Sequence, residues 1–328
     1  AKTGESMSSG TMAKTGESMS GETMAKTGES MSGETIEMVG ISGYETLVLN
    51  LFDIQPLQNG FHYEGWAIVD GKPVTTGKFN VEAGGELVAL NGSPIPQGSF
   101  ATGVDLKDAT AVGITIEPAG DNDTIPASTH YLSGSVSEAQ VSLSIGHGAA
   151  LGDDFSGAAG TYILATPTDG DGNNENSGIW FLDLSSGTPA VGLDLPTLPD
   201  GWVYEGWVVI DGTPVSPGRF TQIGQGDLAA PYNGPESGPA FPGEDFLFNA
   251  PEGLTFPVDL VGKVAVISVE PSPEDSPAPF ALKPLVNVIP ANATDHFNYS
   301  IRTPEADFPR GSATIDSGDM SKIVQASG

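Results

Sequence analysis

The strongest candidate for a ligand site in this sequence is an acidic loop near the middle of the chain. Residues 169–176 read Asp-Gly-Asp-Gly-Asn-Asn-Glu-Asn, which places several side-chain oxygens in a short, tight loop, as a hard cation such as Ca²⁺ requires. The predicted ligands are Asp169, Asp171, Asn173 and Glu175. The helix–loop–helix calcium pattern is not met, because Asn174 stands where glycine is needed and Trp180 where the last glutamate is needed. An ordinary Asx/Gly turn therefore stays open as the second interpretation.

Signatures of catalysis are absent from the sequence. The common nucleophile, zinc-hydrolase, phosphate-binding and dinucleotide-binding motifs do not occur, and the chain has no cysteine. The four histidines lie far apart, with no ligand-type spacing: His62, His130, His147 and His296. A Ser, a His and an Asp that meet only in the folded chain are the remaining route to an enzyme. We expect a protein that is not an enzyme.

One stretch of the sequence occurs twice. Residues 61–79 and 202–220 match without a gap at an offset of 141, and both contain aromatic-x-Tyr-Glu-Gly-Trp, Asp-Gly-x-Pro-Val and Gly-basic-Phe. Such a match indicates that one structural unit has been duplicated. The aromatic and β-branched run on either side of Asp-Gly predicts a β-hairpin in each copy.

The duplicated stretch keeps a carboxylate and an indole at matched positions. Glu64 and Glu205 lie beside aromatic residues on a predicted strand, and one interpretation is a carboxyl group with a raised pKa. The preferred interpretation is an ionised carboxylate that accepts hydrogen bonds from a loop backbone or a tyrosine hydroxyl. Trp66 and Trp207 offer surfaces for stacking on a sugar or a partner, but a Trp repeated on a strand is more often in the core, where we expect both.

Short apolar runs with period-two alternation recur along the chain, for example at 46–54, 111–118 and 264–271. Glycine (44 residues) and proline (26 residues) are abundant, which favours many turns over long helices. The predicted fold is all-β, with two tandem immunoglobulin-like β-sandwich domains and a low-complexity N-terminal tail.

Composition divides the chain into five predicted regions. The first 36 residues are three copies of a polar twelve-residue unit that has too few apolar groups to fold alone, and it is either a free spacer or a strand donated to a sheet. The regions are a tail over 1–36, a first sandwich over 37–150, an Asp/Gly-rich junction over 151–178, a second sandwich over 179–303 and a C-terminal tail over 304–328. The repeat offset grows from 141 to 153 by residues 264–271, which predicts a twelve-residue insertion as a surface loop at 232–245.

The repeated unit resembles the extracytoplasmic C-terminal domain of anti-sigma-K factors. The similarity rests on the hairpin motifs and on Ile114-Thr115-Ile116-Glu117-Pro118-Ala119-Gly120, continuing to Tyr131-Leu132-Ser133-Gly134, and it covers about 47–134 and 190–288. Members of that family join one such domain to a membrane helix and a sigma-binding segment, and neither is present in this sequence. The resemblance therefore implies a fold and an extracytoplasmic location, without sigma-factor binding and without catalytic residues.

The charge of the chain limits its partners. Forty-two acidic residues against 12 basic ones give a formal net charge of -30, which repels nucleic acid and anionic membrane surfaces and favours cations. A halophilic or marine source explains the same excess. No stretch is apolar enough to span a membrane, and a chain that begins at Ala1 without an apolar leader fits a processed, exported protein.

These features predict a non-catalytic, exported structural or interaction protein that forms a homo-oligomer or polymer. A surface layer or a filament is the expected assembly, with the N-terminal tail ordered against its own or a neighbouring subunit. The alternative is an extracytoplasmic binding or sensing module related to anti-sigma factor ectodomains. Calcium is the one cofactor that the sequence suggests.

Overall fold

Almost every regular element of the chain is a β-strand, in agreement with the predicted all-β class. The computed structural model describes residues 45–170, 172–273, 276–303 and 308–316, and strand accounts for 41% of the chain against 2% for helix. The predicted N-terminal tail, 1–36, lies outside the described residues.

The strands are β1 (Thr46–Phe52), β2 (His62–Val69), β3 (Lys72–Val81), β4 (Leu87–Val88), β5 (Ser99–Ala101), β6 (Ala109–Glu117), β7 (His130–Ser135), β8 (Gln140–Ser144), β9 (Ala159–Leu164), β10 (Gly178–Trp180), β11 (Leu182–Asp183), β12 (Ala190–Val191), β13 (Leu193–Asp194), β14 (Trp202–Ile210), β15 (Thr213–Phe220), β16 (Gly243–Asp245), β17 (Val264–Pro271), β18 (Leu285–Val288), β19 (Tyr299–Ile301) and β20 (Arg310–Asp316).

Both predicted hairpins are present. β2 and β3 turn at Asp70 and Gly71, and β14 and β15 turn at Asp211 and Gly212. All four turn residues have positive φ, between 50° and 88°, which is the signature of the two-residue type I′ turn that Asp-Gly favours. The local sequence therefore sets the hairpin geometry in each copy.

The two copies also share their strand register. β2 pairs with β6 and β14 pairs with β17, so that Gly65 lies opposite Ile114 and Gly206 lies opposite Ile267. The next strand outward is β7 in the first copy and β18 in the second. We call the unit β1–β8 the first repeat and the unit β10–β19 the second repeat.

The strands form four sheets, of nine, five, four and two strands. The first repeat and β20 form a nine-stranded sheet in the order β4-β3-β2-β6-β7-β8-β20-β1-β5. In the second repeat, one sheet has the order β15-β14-β17-β18, and a five-stranded sheet has the order β13-β9-β10-β16 with β19 also paired to β9. β11 and β12 form a short ribbon. Tyr162 on β9 donates a 2.8 Å hydrogen bond to Asn287 on β18, which links the two larger sheets of the second repeat.

The repeats exchange a strand with each other. β20 follows the second repeat in sequence but lies between β1 and β8 of the first repeat, whereas β9 follows the first repeat but lies between β13 and β19 of the second. The two strands take equivalent places in the topology, since each pairs antiparallel with the strand that precedes the hairpin of the repeat it joins. Each repeat is completed by the strand that follows the other.

This exchange gives a structural role to two regions that composition marks as connecting segments. The predicted junction, 151–178, contains β9, and the predicted C-terminal tail, 304–328, contains β20. Both strands are short and rich in small residues, so their sequences resemble linkers although each is paired on both edges. The insertion at 232–245 also differs from a plain surface loop, since its last residues form β16, which is buried against β10.

Aromatic rings join the cores of the two repeats. The ring of Tyr131 in the first repeat lies 5.8 Å from that of Trp202 and 5.5 Å from that of Phe280 in the second, and it also stacks on Tyr63 at 5.8 Å. Offset and tilted ring pairs at such distances stabilise a core beyond their buried area. A single buried cluster therefore extends through both repeats.

One glycine in each of the exchanged strands makes a testable contrast. A methyl group at Gly311 would lie 2.6 Å from the backbone oxygen of Asn50, whereas one at Gly160 would meet side-chain methyls of Leu193 and Ile301 at 2.8 Å. We expect Gly311→Ala to destabilise the protein by about 1–3 kcal/mol, and Gly160→Ala by less, because rotating methyl groups yield more easily than backbone. Urea unfolding midpoints measure the difference, and equal shifts for the two variants would contradict it.

Candidate functional site

The predicted calcium loop is folded as a turn that Glu175 holds together. One carboxylate oxygen of Glu175 accepts the backbone N–H of Thr166 at 3.0 Å, and the other accepts that of Gly172 at 3.1 Å. The hydroxyl of Thr166 donates to the backbone oxygen of Asn173 at 3.0 Å. Among the predicted ligands, Asp171 lies outside the described residues, and one oxygen of Asp169 is buried without a hydrogen-bond partner.

Glu175 meets a second acidic segment that the sequence did not point to. Within the described residues, ligand atoms of Glu175, Asp295 and His296 lie within 4.8 Å of one another, and Asp169 is not part of this group. Glu175 and Asp295 line a cleft of about 500 Å³, with the side chains of Asn174 and Asp259 also on its wall. This arrangement offers carboxylate and amide oxygens to a cation, although exposed acidic groups of this kind also occur on proteins without one.

A second group of potential ligands has an ammonium group beside its two carboxylates. Ligand atoms of His62, Glu64 and Asp121 lie within 4.8 Å of one another, and Lys78 Nζ contacts the two carboxylates, whereas His62 Nε2 is buried without a hydrogen-bond partner. Lys78 donates to Oδ2 of Asp121 at 2.9 Å and lies 3.3 Å from Oε2 of Glu64. The hydrogen bond from Lys78 lowers the pKa of Asp121. Burial acts to lower the pKa of Lys78, but its bonds to the two carboxylates outweigh that and raise it.

The second repeat has the same ion pair in another form. Arg219 Nε donates to Oε2 of Glu205 at 2.8 Å, and Ser216 donates to its other oxygen at 2.5 Å. In the first repeat the matching hydroxyl, that of Thr75, donates to Glu64. The repeated glutamates thus accept hydrogen bonds, as predicted, but their partners are a hydroxyl and a basic side chain rather than a loop backbone or a tyrosine.

A matched polar chain crosses the interior of each repeat. In the first, Trp66 Nε1 donates to the Thr115 hydroxyl at 2.8 Å, Thr115 donates to Glu117, and Glu117 accepts the backbone N–H of Ala127 at 3.0 Å. Trp66 is 3% exposed, which confirms its predicted place in the core. These bonds satisfy the indole, the hydroxyl and the carboxylate without any outside group.

The second repeat preserves this chain with one chemical change. Trp207 Nε1 donates to the Ser268 hydroxyl at 2.8 Å, Ser268 donates to Glu270, and Glu270 accepts the backbone N–H of Phe280 at 2.8 Å. Burial raises the pKa of Glu270 to about 7, against the effect of these two hydrogen bonds. Thr115 and Ser268 stand at the 153 offset, so a comparison of hydroxyl positions between the copies would have found both in the sequence.

The insertion of the second repeat carries buried acids that have no counterpart in the first. Asp245 is fully buried, with Oδ1 accepting the Trp180 indole at 2.7 Å and Oδ2 accepting both the backbone N–H and the hydroxyl of Thr168, at 2.8 and 2.6 Å. The same hydroxyl accepts the backbone N–H of Gly234 at 2.6 Å. Asp245 therefore anchors the inserted segment to β10 and to the acidic loop.

Glu244 lies next to Asp245 on β16, and its carboxyl group lacks the hydrogen bonds that Asp245 has. It is fully buried, and neither carboxylate oxygen finds a hydrogen-bond donor there at normal geometry. Burial raises the pKa of Glu244 to about 9, and the neighbouring Asp227 adds to the effect. Burial likewise raises the pKa of Asp227 to about 7, although its Oδ2 accepts the Gly243 N–H at 2.8 Å. Glu244, with a pKa about two units above 7, is therefore neutral at pH 7.

Among the described residues one Ser–His contact is found, and its hydrogen bonds do not suit a general base. Ser135 Oγ lies 3.4 Å from His147 Nε2, but His147 Nδ1 accepts the backbone N–H of Ala149 at 3.2 Å. A neutral ring that accepts at Nδ1 carries its proton at Nε2, so it donates to the serine instead of taking its proton.

Comparison of this chain with protein-family models, with curated proteins and with solved structures finds no match. Across the residues that the structure describes, no helix combines the length and the apolar character needed to cross a bilayer.

Glu244 makes the stability of the protein depend on pH in a defined direction. Its carboxyl group keeps its proton in the folded state up to about pH 9 but loses it near pH 4.3 when unfolded, so the free energy of unfolding falls as pH rises through this interval. Asp227 and Glu270 act in the same direction only up to about pH 7. Between pH 7 and 9 we expect Glu244 to cost the wild-type protein on the order of 2 kcal/mol of its free energy of unfolding. The Glu244→Gln variant should not show this loss.

Urea unfolding at pH 5, 7 and 9 measures this effect. Glu236→Gln, in an exposed part of the same insertion, is the matched control and should follow the wild-type curve. If wild type and Glu244→Gln lose the same stability between pH 7 and 9, Glu244 is not a neutral buried acid.

Proposed function

We propose that this chain is a non-catalytic, exported structural protein that assembles with copies of itself into a surface layer or filament. The supporting observation is how the duplicated polar residues are used. The glutamates, tryptophans and hydroxyls present in both repeats are bound to one another inside the protein, in matching patterns. Duplication has thus retained a scaffold, which is what an assembling subunit needs.

The finer features of this proposal concern the domain type and the tail. We take each repeat to be an immunoglobulin-like sandwich, since its antiparallel strands enclose a core of alternating buried residues. We take the twelve-residue units of the N-terminal tail to be ordered in the assembly, against their own or a neighbouring subunit. An extracytoplasmic location fits an acidic, cysteine-free chain whose sequence resembles an ectodomain.

A binding or sensing module is the second candidate, and one observation favours it. Leu228 is 73% exposed and Phe248 is 52% exposed, and these two apolar side chains flank the insertion at 232–245. Apolar groups beside a loop that only one repeat carries are a reasonable contact for a partner protein. Such a partner would bind the full chain as a monomer, which distinguishes this candidate from self-assembly.

Self-assembly predicts a size that depends on concentration and on salt. The net charge of -30 makes copies repel one another, and salt screens that repulsion. We expect light scattering of the full chain to show oligomers that grow with protein concentration and with ionic strength. A chain lacking residues 1–36 should assemble less if the tail takes part. A full chain that stays monomeric under all these conditions would rule out the proposed function.

We further propose that the acidic cleft binds Ca²⁺, with Glu175 and Asp295 as its carboxylates and Asp169, Asp171 and Asn173 in the same loop as Glu175. A calcium site of the extracellular kind has a Kd on the order of 1 mM, so ~10 mM Ca²⁺ should stabilise the protein by about 1.4 kcal/mol. Because Glu175 also holds the turn, Asp295, which is exposed, is the better residue to change.

The calcium proposal is checked by thermal unfolding with and without Ca²⁺, with Mg²⁺ as the comparison ion. The melting temperature of wild type should rise with Ca²⁺, and that of Asp295→Asn should rise much less. Asp108→Asn, which removes a more exposed carboxylate far from the cleft in sequence, should respond as wild type does. An equal response of all three proteins would show that Ca²⁺ acts through general screening of charge.

A further inference from the structure

We propose that β20 is exchanged between copies of this chain, so that the last strand of one copy completes the first repeat of the next. The inference rests on the proposed function of self-assembly and names the contact that would carry it. The partner is a second copy of this chain, and the receiving site is the gap between β1 and β8.

The contacts of β20 are ones that any copy of the strand can make. It pairs with β1 along its whole length, from Thr46 opposite Asp316 to Phe52 opposite Arg310, and it pairs with β8 on its other edge. Only Ala313 and Ile315 of this strand are buried. Backbone hydrogen bonds therefore carry most of the attachment, as they do when a donated strand is added to a sheet.

Side chains along the strand set its direction and register. Arg310 forms an ion pair with Asp53 at 2.5 Å, and its guanidinium lies 5.8 Å from the centre of the Phe52 ring. Thr314 donates a 3.0 Å hydrogen bond to the side chain of Gln140 on β8. Gly311 leaves room for Leu51, which crosses it from β1. These contacts specify one strand of this sequence, and a second copy supplies it without any change.

The topology determines what exchange between copies would build. Within one chain, the repeats complete each other, with β9 passing forward to the second repeat and β20 passing back to the first. β9 is fixed in place because β8 precedes it and β10 follows it, whereas β20 is connected to the other described strands only through the link from β19. Only the link from β19 to β20 has to take another path.

If β20 enters the first repeat of another copy, that copy still has its own β20 to donate. The donor and acceptor surfaces lie on different repeats, so the contact is head-to-tail. Such contacts continue into an open chain unless their rotation closes a ring. The same bonds thus serve a closed monomer and a filament, and concentration decides between them.

Engineered disulfides distinguish these two forms, because the natural chain has no cysteine. Val48 on β1 lies opposite Thr314 on β20, so a V48C/T314C variant places a cysteine on each side of the proposed contact. The matched control is T161C/S300C, which links β9 to β19 within the second repeat. Each single-cysteine variant tests for random linkage between exposed thiols.

The full-length variants are oxidised under conditions where light scattering shows oligomers, and they are then separated on denaturing gels without reductant. We expect V48C/T314C to give a ladder of linked chains that shrinks to single chains when the protein is diluted before oxidation. T161C/S300C should give single chains throughout, and the single variants should give no ladder. N50C/S312C joins the same two strands at another matched pair and replaces the first variant if that one does not fold.

The outcomes separate this inference from the proposed function. Oligomers whose V48C/T314C bonds all lie within single chains would overturn strand exchange and leave self-assembly by another contact, such as the N-terminal tail. Ladders of equal extent from T161C/S300C would also overturn it, because linkage would not follow β20. A full chain that never forms oligomers would overturn both proposals.

Discussion

Backbone pairing of β9 and β20 is the constraint on which the rest of this structure depends. Each strand lies inside a sheet, so its removal would leave N–H and C=O groups unpaired on both neighbouring strands. Each strand is supplied by the repeat that it does not complete. Neither repeat therefore has a full set of strands by itself, and the aromatic contact of Tyr131 with Trp202 and Phe280 strengthens the same union. Two units that were equivalent by duplication have become parts of one folding unit.

The duplicated scaffold and the inserted segment use polar groups in opposite ways. In both repeats, a tryptophan, a hydroxyl and a glutamate satisfy one another, and a basic residue neutralises the hairpin glutamate. The insertion instead buries Glu244 without a hydrogen bond of normal geometry beside the well-bonded Asp245, and burial favours the protonated form of Glu244. The formal charge of -30 therefore exceeds the charge that the folded protein carries at neutral pH. The interior gains a pH dependence that the exposed acids do not provide.

Much of the strand pattern was predictable from the sequence because its causes are local. The Asp-Gly turns and the alternating strands at 111–118 and 264–271 lie where they were predicted. The pairing of β20 was not predictable, because five small or β-branched residues fit the edge of almost any sheet. The site was predictable only in part for the same reason. Glu175 stands in a visibly acidic loop, but Asp295 and His296 reach it from a segment more than a hundred residues away in sequence.

The sequence by itself determined the all-β class, the duplication, the hairpins and the core positions of Trp66 and Trp207, since these follow from residue type and spacing within a few positions. Only the tertiary structure decided that the repeats exchange strands, that Lys78 pairs with both Glu64 and Asp121, and that Glu244 is buried without a hydrogen bond of normal geometry. The physical reason is the same in each case. Which strands pair, and which charged groups come together, depends on packing between segments far apart in the chain. A local pattern of residues does not specify that packing.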